Sequence, residues 1–330
     1  MTFKIWSPEE IWRPLEEPDY LVEALLVRGS LSLLVAYGSS FKTWAWQDLG
    51  LSIAAGLPWL ERFPTRQGGA LLIDFESGDY ELRRRSHRLA LGRGIRTPLD
   101  GFAFVTMPDS TLMQDEFFEQ VKTLAQVYKF IGIDSLSAGS AGLDENTTKF
   151  AHSLQRLKAI AAATGCCIMV LHHARKTEGK NGHGPRDTVA DPRQGVRGTS
   201  AIFNACDVVL SMQQTASGRM IFSQIKSRGG KSVQTFQIVL EDTGPESTVV
   251  RGIDAPAEDA EDPIAISKRI ARCKAQIVAL FQSEPKFETK DQVYRRIHGT
   301  KIDKVRAFRE LADSGRLVQV GSWWTMKADS

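Results

Sequence analysis

The sequence predicts an α/β fold: a mostly parallel sheet covered by helices on both faces, followed by a small separate C-terminal domain. Three observations carry this. Short, near-continuous apolar runs alternate with longer segments of helical spacing as far as residue 205, the pattern of parallel strands buried on both faces. Beyond residue 205 the apolar runs follow one another across short turns only, as antiparallel strands do. The acidic stretch 252–263, "GIDAPAEDAEDP", then holds five acids, two prolines and no base, a linker composition with little to pack.

In chain order, the expected strands are 30–37 "SLSLLVAY", 70–76 "ALLIDFE", 101–107 "GFAFVTM", 130–136 "FIGIDSL" and 166–173 "CCIMVLHH". Helical spacing fills 43–56, 79–92, 114–127 and 146–163 between them. "DVVLSMQ", "RMIFSQIKS" and "VQTFQIVLE" are expected to extend the sheet as antiparallel strands. The predicted domains are residues 1–250, a linker at 251–264, and 265–330.

Composition narrows the function classes. With 330 residues, 42% hydrophobic and 25% charged, the chain can bury a substantial core. Its four cysteines form no CxxC pair, so neither a zinc site nor a disulfide framework is indicated. The first residues lack a secretory pattern and no apolar run reaches membrane-spanning length, so a reducing cytoplasm is the expected setting. The net charge of +3 conceals an asymmetry: residues 264–330 carry 14 Lys and Arg against 7 Asp and Glu, a basic tail.

The chemistry starts at "YGSSFKTW". A phosphate-binding loop aims consecutive backbone N–H groups at an anion from a helix N-terminus. A lysine neutralises the β and γ phosphates, and the hydroxyl after it holds Mg²⁺. Gly38, Ser39, Ser40, Phe41, Lys42 and Thr43 follow a strand and open a helix, as required. Ala36 and Phe41 stand where the framing glycines are expected, at backbone angles glycine adopts most readily. The alternative is a plain strand–turn–helix with a solvated lysine.

Asp134 closes the strand "FIGID" and can hold the water shell of Mg²⁺ or cap the next turn. Glu76, after "LLIDF", can orient an attacking water as general base or cap the helix near Gly78. Asp74 points the same way, deeper. His172 and His173 end another strand. Adjacent strand residues face opposite ways, so the pair suits a γ-phosphate sensor, or a satisfied polar strand end, better than a shared metal. The polar stretch 177–204 is long enough to be a functional loop. Arg193 and Arg197 near its end could reach a neighbouring subunit's site; the alternative is a solvated loop, the preferred reading for Arg193.

Taken in order, "GSSFKTW…DLGLSIAAG", "LLIDFE", "FIGIDSLSAGS…DEN", "TGCCIMVLHHARK" and "VRGTSAI…ACDVVL" resemble the RepA-type RecA-fold ATPases, relatives of the DnaB-like hexameric helicases, over roughly residues 20–240. The resemblance implies a RecA-like P-loop core assembled as a homo-oligomeric ring, a hexamer by expectation, with ATP and Mg²⁺ between subunits. It implies that Lys42 and Thr43 are the phosphate-loop pair, Glu76 the catalytic glutamate, Asp134 the Mg²⁺ aspartate, His172 and His173 the phosphate sensor, and Arg197 the arginine finger. It also implies an ATP-dependent motor on DNA, in replication or mobile-element maintenance. Single-stranded DNA would lie along channel loops, here 174–196 with Arg175, Lys176, Lys180, Arg186 and Arg193, a segment whose alternative reading is a disordered surface loop. The alternative is a nucleotide-binding regulator or scaffold on DNA that does not hydrolyse.

In the tail, Ile270, Ile277, Leu280 and Phe281 share a helical face. Thr289 is a plausible cap for a second helix. Ile302, Val305, Phe308 and Leu311 mark a third, closed by Gly315. "RLVQVGSWWTMK" reads as a hairpin turning at Gly321-Ser322. Three helices and a hairpin resemble a winged helix, whose third helix enters the major groove. Lys301, Lys304, Arg306 and Arg309 would then meet phosphates. Protein docking is the other use of this fold.

Overall fold

The computed structural model describes residues 5–14, 17–36, 40–140, 148–173, 200–214, 219–229, 231–254, 263–299 and 301–326. The described residues up to Ile253 form one compact unit and those from Asp254 onward a second.

The first unit begins with the single-turn helix α1 (Pro8–Ile11) and a short antiparallel pair, β1 (Tyr20–Val22) and β2 (Leu26–Val27). Then come β3 (Leu31–Ala36), α2 (Lys42–Ala55), β4 (Ala70–Asp74), α3 (Asp79–Gly92), β5 (Phe102–Thr106), α4 (Asp115–Leu124), β6 (Phe130–Asp134), α5 (Thr148–Thr164) and β7 (Cys167–His173). Helix α6 (Ser200–Ala205) leads to β8 (Val208–Gln214), β9 (Met220–Ser227), β10 (Phe236–Gly244) and β11 (Ser247–Asp254).

Among the described residues, nine strands make one sheet in the order β11-β10-β9-β8-β3-β7-β6-β4-β5. From β8 to β5 every neighbouring pair is parallel. The fold class expected from the sequence is the one observed for this unit. One pairing differs. The run 208–214 is antiparallel to β9 but parallel to β3, because the chain returns through α6 before entering it. Strand β11 also carries the sheet through Asp254, so residues 251–254, expected to start the linker, are sheet residues.

The period of two divides the strands between two cores. Leu34 and Ala36 of β3 and Leu72 of β4 face one cluster, with Trp46 and Leu49 of α2. Leu33 and Val35 of β3, with Leu71 and Ile73 of β4, face the other, with Phe117 and Val121 of α4 and Leu154 and Leu157 of α5. Helix α2 is buried around almost its whole circumference, the polar Gln47, Asp48 and Ser52 included, so it presents hardly any face to solvent. It lies so close to β6 that a Cβ on Gly132 would sit 1.9 Å from Trp46 Nε1. Only glycine permits that approach.

The second unit contains α7 (Pro263–Ser283), β12 (Lys286–Phe287), α8 (Lys290–Arg296), α9 (Lys301–Asp313), β13 (Leu317–Val320) and β14 (Trp323–Met326). Its strands pair in the order β12-β14-β13. Thr289 caps α8 in a reciprocal box with Gln292, and β13 turns into β14 at Gly321, φ +61°. Ile277, Phe281, Val293, Phe308 and Leu317 form its core. Trp324 packs edge-on to Phe308, while Lys286 sits over Trp323.

Candidate nucleotide-binding site

Strands β3, β7, β6 and β4 are consecutive and parallel, so their carboxyl ends share one edge of the sheet, where open α/β sheets bind ligands. Every described candidate residue of the first unit lies at that edge.

Lys42 opens α2 and is only 7% exposed, which removes the solvated-lysine alternative. Phe41 precedes it as N-cap and makes no side-chain capping bond, leaving first-turn N–H groups for an anion. Phe41 has φ +41° and ψ +28°, the left-handed region glycine takes freely and other residues take at roughly 1–2 kcal/mol. Its ring packs, half-buried, against the core on the α2 side. The backbone at the missing glycine thus bends as a glycine would, with the aromatic ring anchored on that core.

Thr43 Oγ1 donates to Asp134 Oδ2 at 2.9 Å. Asp134 is fully buried, and burial pushes its carboxyl up to about 7 against the pull of Lys42, with Glu76 and Asp74 adding to the rise. Asp74 is its register partner on β4. Burial raises the Asp74 carboxyl too, although its Oδ1 accepts the N–H groups of Glu76 at 2.7 Å and Ser77 at 2.6 Å. Asp134 Oδ1 and Asp74 Oδ2 are both buried without a hydrogen-bond partner. Two buried carboxylate oxygens on register-paired residues, left without partners, suit a cation or its water shell, so these residues fit Mg²⁺. Among the described residues no three or more His, Cys, Asp or Glu side chains are grouped to hold a metal by themselves. Mg²⁺ beside a nucleotide takes few protein ligands and completes its shell with phosphate and water.

Glu76 has a different environment. Its Oε1 accepts the Ser135 hydroxyl and lies 3.3 Å from His173 Nε2. These contacts, that to His173 foremost, with the charge of Lys42, hold its carboxyl down at about 2. Glu76 is therefore ionised throughout the neutral range. It does not cap α3, whose N-cap, Gly78, makes no side-chain bond. Of the two histidines, His173 reaches the site. His172, the residue before it on β7, is fully buried. Ser135 was missed in the sequence; its signal is a small hydroxyl residue directly after the strand-end acid.

Gly38, Ser39, Arg175, Lys176, Lys180, Arg186, Arg193 and Arg197 lie outside the described residues. In the second unit, Lys301 opens α9. Lys304 Nζ is bound to the Tyr294 carbonyl at 2.8 Å, an internal tie that opposes a role facing phosphate. Arg306 pairs with Glu310 at 3.3 Å, which also holds Lys274 at 2.6 Å. Arg309 is exposed. Among the described residues, no helix is long and apolar enough to cross a membrane.

The family described as "AAA domain" matches residues 2–179, a span that takes in β3, α2 and the ends of β4, β6 and β7.

Proposed function

The chain belongs to the AAA-domain family, ATPases of the AAA/RecA type, and from that premise we propose an ATP-driven, DNA-acting motor of the RepA-like helicase kind. The observation that carries the reading is the bond from Thr43 to Asp134, with Lys42 and Glu76 at the same strand ends.

Lys42 and the first-turn N–H groups of α2 hold the β and γ phosphates. Thr43 and Asp134 would hold Mg²⁺. When bound, the cation would offset the charge that develops in transfer. Glu76 stays ionised and orients the attacking water. His173, bonded to Glu76, moves that carboxylate according to whether the γ phosphate is present. Arg197 of the adjacent subunit in a homo-oligomeric ring stabilises the transferring group.

Single-stranded DNA runs along the 174–196 segment in the ring channel. The second unit, residues 265–330 after the acidic linker, acts as a winged helix that holds duplex DNA through Lys301 and Arg309 of its third helix.

Phe41 favours a second reading, a nucleotide-bound regulator on DNA that does not turn over. Phosphate release with and without single-stranded DNA separates the two. A motor releases phosphate faster with DNA, and Lys42→Ala abolishes the release. If the wild-type chain releases none with any nucleic acid, the regulator reading stands.

A further inference from the structure

Ser135 directly follows the acid that ends β6 and is fully buried. A serine hydroxyl has one proton to donate. The Ala138 N–H donates to the Ser135 oxygen at 3.3 Å, and the hydroxyl proton goes to Glu76 Oε1. His173 Nε2 lies 3.3 Å from the same carboxylate oxygen. Both contacts fall on Oε1, and among the described residues none falls on Oε2. The Glu76 side chain is 36% exposed, so water can reach the oxygen that is left.

The other end of this hold is a single turn of 3₁₀ helix, Ala138–Ser140. Gly139 N–H donates to the Ser135 carbonyl at 2.9 Å, and the Gly139 carbonyl accepts the Leu112 N–H at 2.8 Å. A Cβ on Gly139 would stand 2.9 Å from Phe75 Cε2 and 2.8 Å from Leu112 Cδ1. The turn is therefore packed on the residue that precedes Glu76. Phe75 in turn lies beside Phe117 of α4, ring centroids 5.9 Å apart. One turn thus fixes Glu76 twice, its carboxylate through Ser135 and its backbone through Phe75.

We propose that Ser135 is a positioning residue for Glu76. Its hydroxyl, aimed by the Ala138 N–H, holds Oε1 so that Oε2 is presented to the attacking water, and the close packing of Gly139 seats the hold. Ser135 acts through the glutamate and not on the nucleotide. A base that orients water works only in one geometry, and a displacement of about 1 Å can cost roughly a hundredfold in rate. The proposal rests on the reading of Glu76 as general base given above.

The test compares steady-state phosphate release and calorimetric titration with Mg²⁺-ATP across single and paired variants of the full chain. Ser135→Ala should lower kcat at least about tenfold, with KM and the Kd for Mg²⁺-ATP within about twofold of wild type. Ser135→Thr, which keeps the hydroxyl, should restore most of the rate. In a Glu76→Gln background Ser135→Ala should cause no further loss, because the base it positions is gone. A hydroxyl that only caps the turn would not show that dependence. Gly139→Ala should lower kcat in the same way without weakening nucleotide binding; should it not fold, the two Ser135 variants decide alone. Ser135→Ala as fast as wild type, or a loss that adds in full to that of Glu76→Gln, overturns the proposal and leaves Glu76 as the base. A wild-type chain that releases no phosphate, or Glu76→Gln that releases it at the wild-type rate, overturns that reading and the proposal with it.

Discussion

Thr43 on α2 and Asp134 on β6 are joined by a 2.9 Å hydrogen bond although β7 lies between β3 and β6 in the sheet. The helix spans that gap because α2 lies flat on β6, over Gly132. The two residues proposed to hold Mg²⁺ are thus brought together by the packing of α2 on β6. Asp134→Asn should lower Mg²⁺-dependent phosphate release by roughly a hundredfold or more while the chain stays folded. Thr43→Ser, which keeps the hydroxyl, should retain most activity. Steady-state phosphate release checks both.

Glu76 is held down at about 2, with His173 the largest cause. A lowered carboxyl favours the fold above its ordinary pKa, and the gain is lost as pH falls towards 2. Between pH 5 and 8 Glu76 should therefore give no acid limb in the rate profile. His173→Ala removes the main cause, so the carboxyl should rise and an acid limb should move upward toward neutrality. Glu76→Gln should bind ATP and turn over roughly 10²–10⁴-fold more slowly. A pH–rate profile of the three proteins reads this directly.

Asp48 is fully buried on α2, with Arg93 Nε at 3.7 Å, and burial raises its carboxyl to about 6 despite that partner. A raised carboxyl binds its proton more tightly in the folded state. Its contribution is full below the unfolded value near 4 and is lost as pH rises through about 6. Asp48→Asn should match the wild type near pH 4 and exceed it by up to about 3 kcal/mol at pH 7.5. Urea unfolding at the two pH values measures the difference. A less stable variant at pH 7.5 contradicts the electrostatic account.

A Cβ at Gly132 would meet Trp46 Nε1 at 1.9 Å. Gly132→Ala should cost about 1–3 kcal/mol or more. It should also weaken ATP binding, because the helix it displaces carries Lys42 and Thr43. Thermal melting and nucleotide titration should fall together. An unchanged melt would mean that α2 sits further from β6.

Much of the nucleotide edge was legible because its strands are buried on both faces. "ALLID", "FIGID" and "CIMVLHH" are continuous apolar runs ending in polar groups, so strand and site residue were read together. What lay beyond reach was set by tertiary contact. The parallel pairing of 208–214 with β3 depends on the return through α6. The β1–β2 pair is too short for a period to show. β11 merges into an acidic stretch, and its burial against Leu60 and Phe236 (Gly252 N–H bonds the Leu60 carbonyl at 2.9 Å) leaves no local mark. In the tail, helix spacing located α9, but only packing shows that Lys304 bonds a carbonyl.

The central claim is that a triphosphate is held against Lys42 at the start of α2 although Phe41 replaces a glycine. Calorimetric titration with Mg²⁺-ATP tests it most directly. One binding event per chain is predicted for the wild type, weakened at least about tenfold in folded Lys42→Ala. No heat from the wild type, or equal affinity in the two proteins, would contradict it.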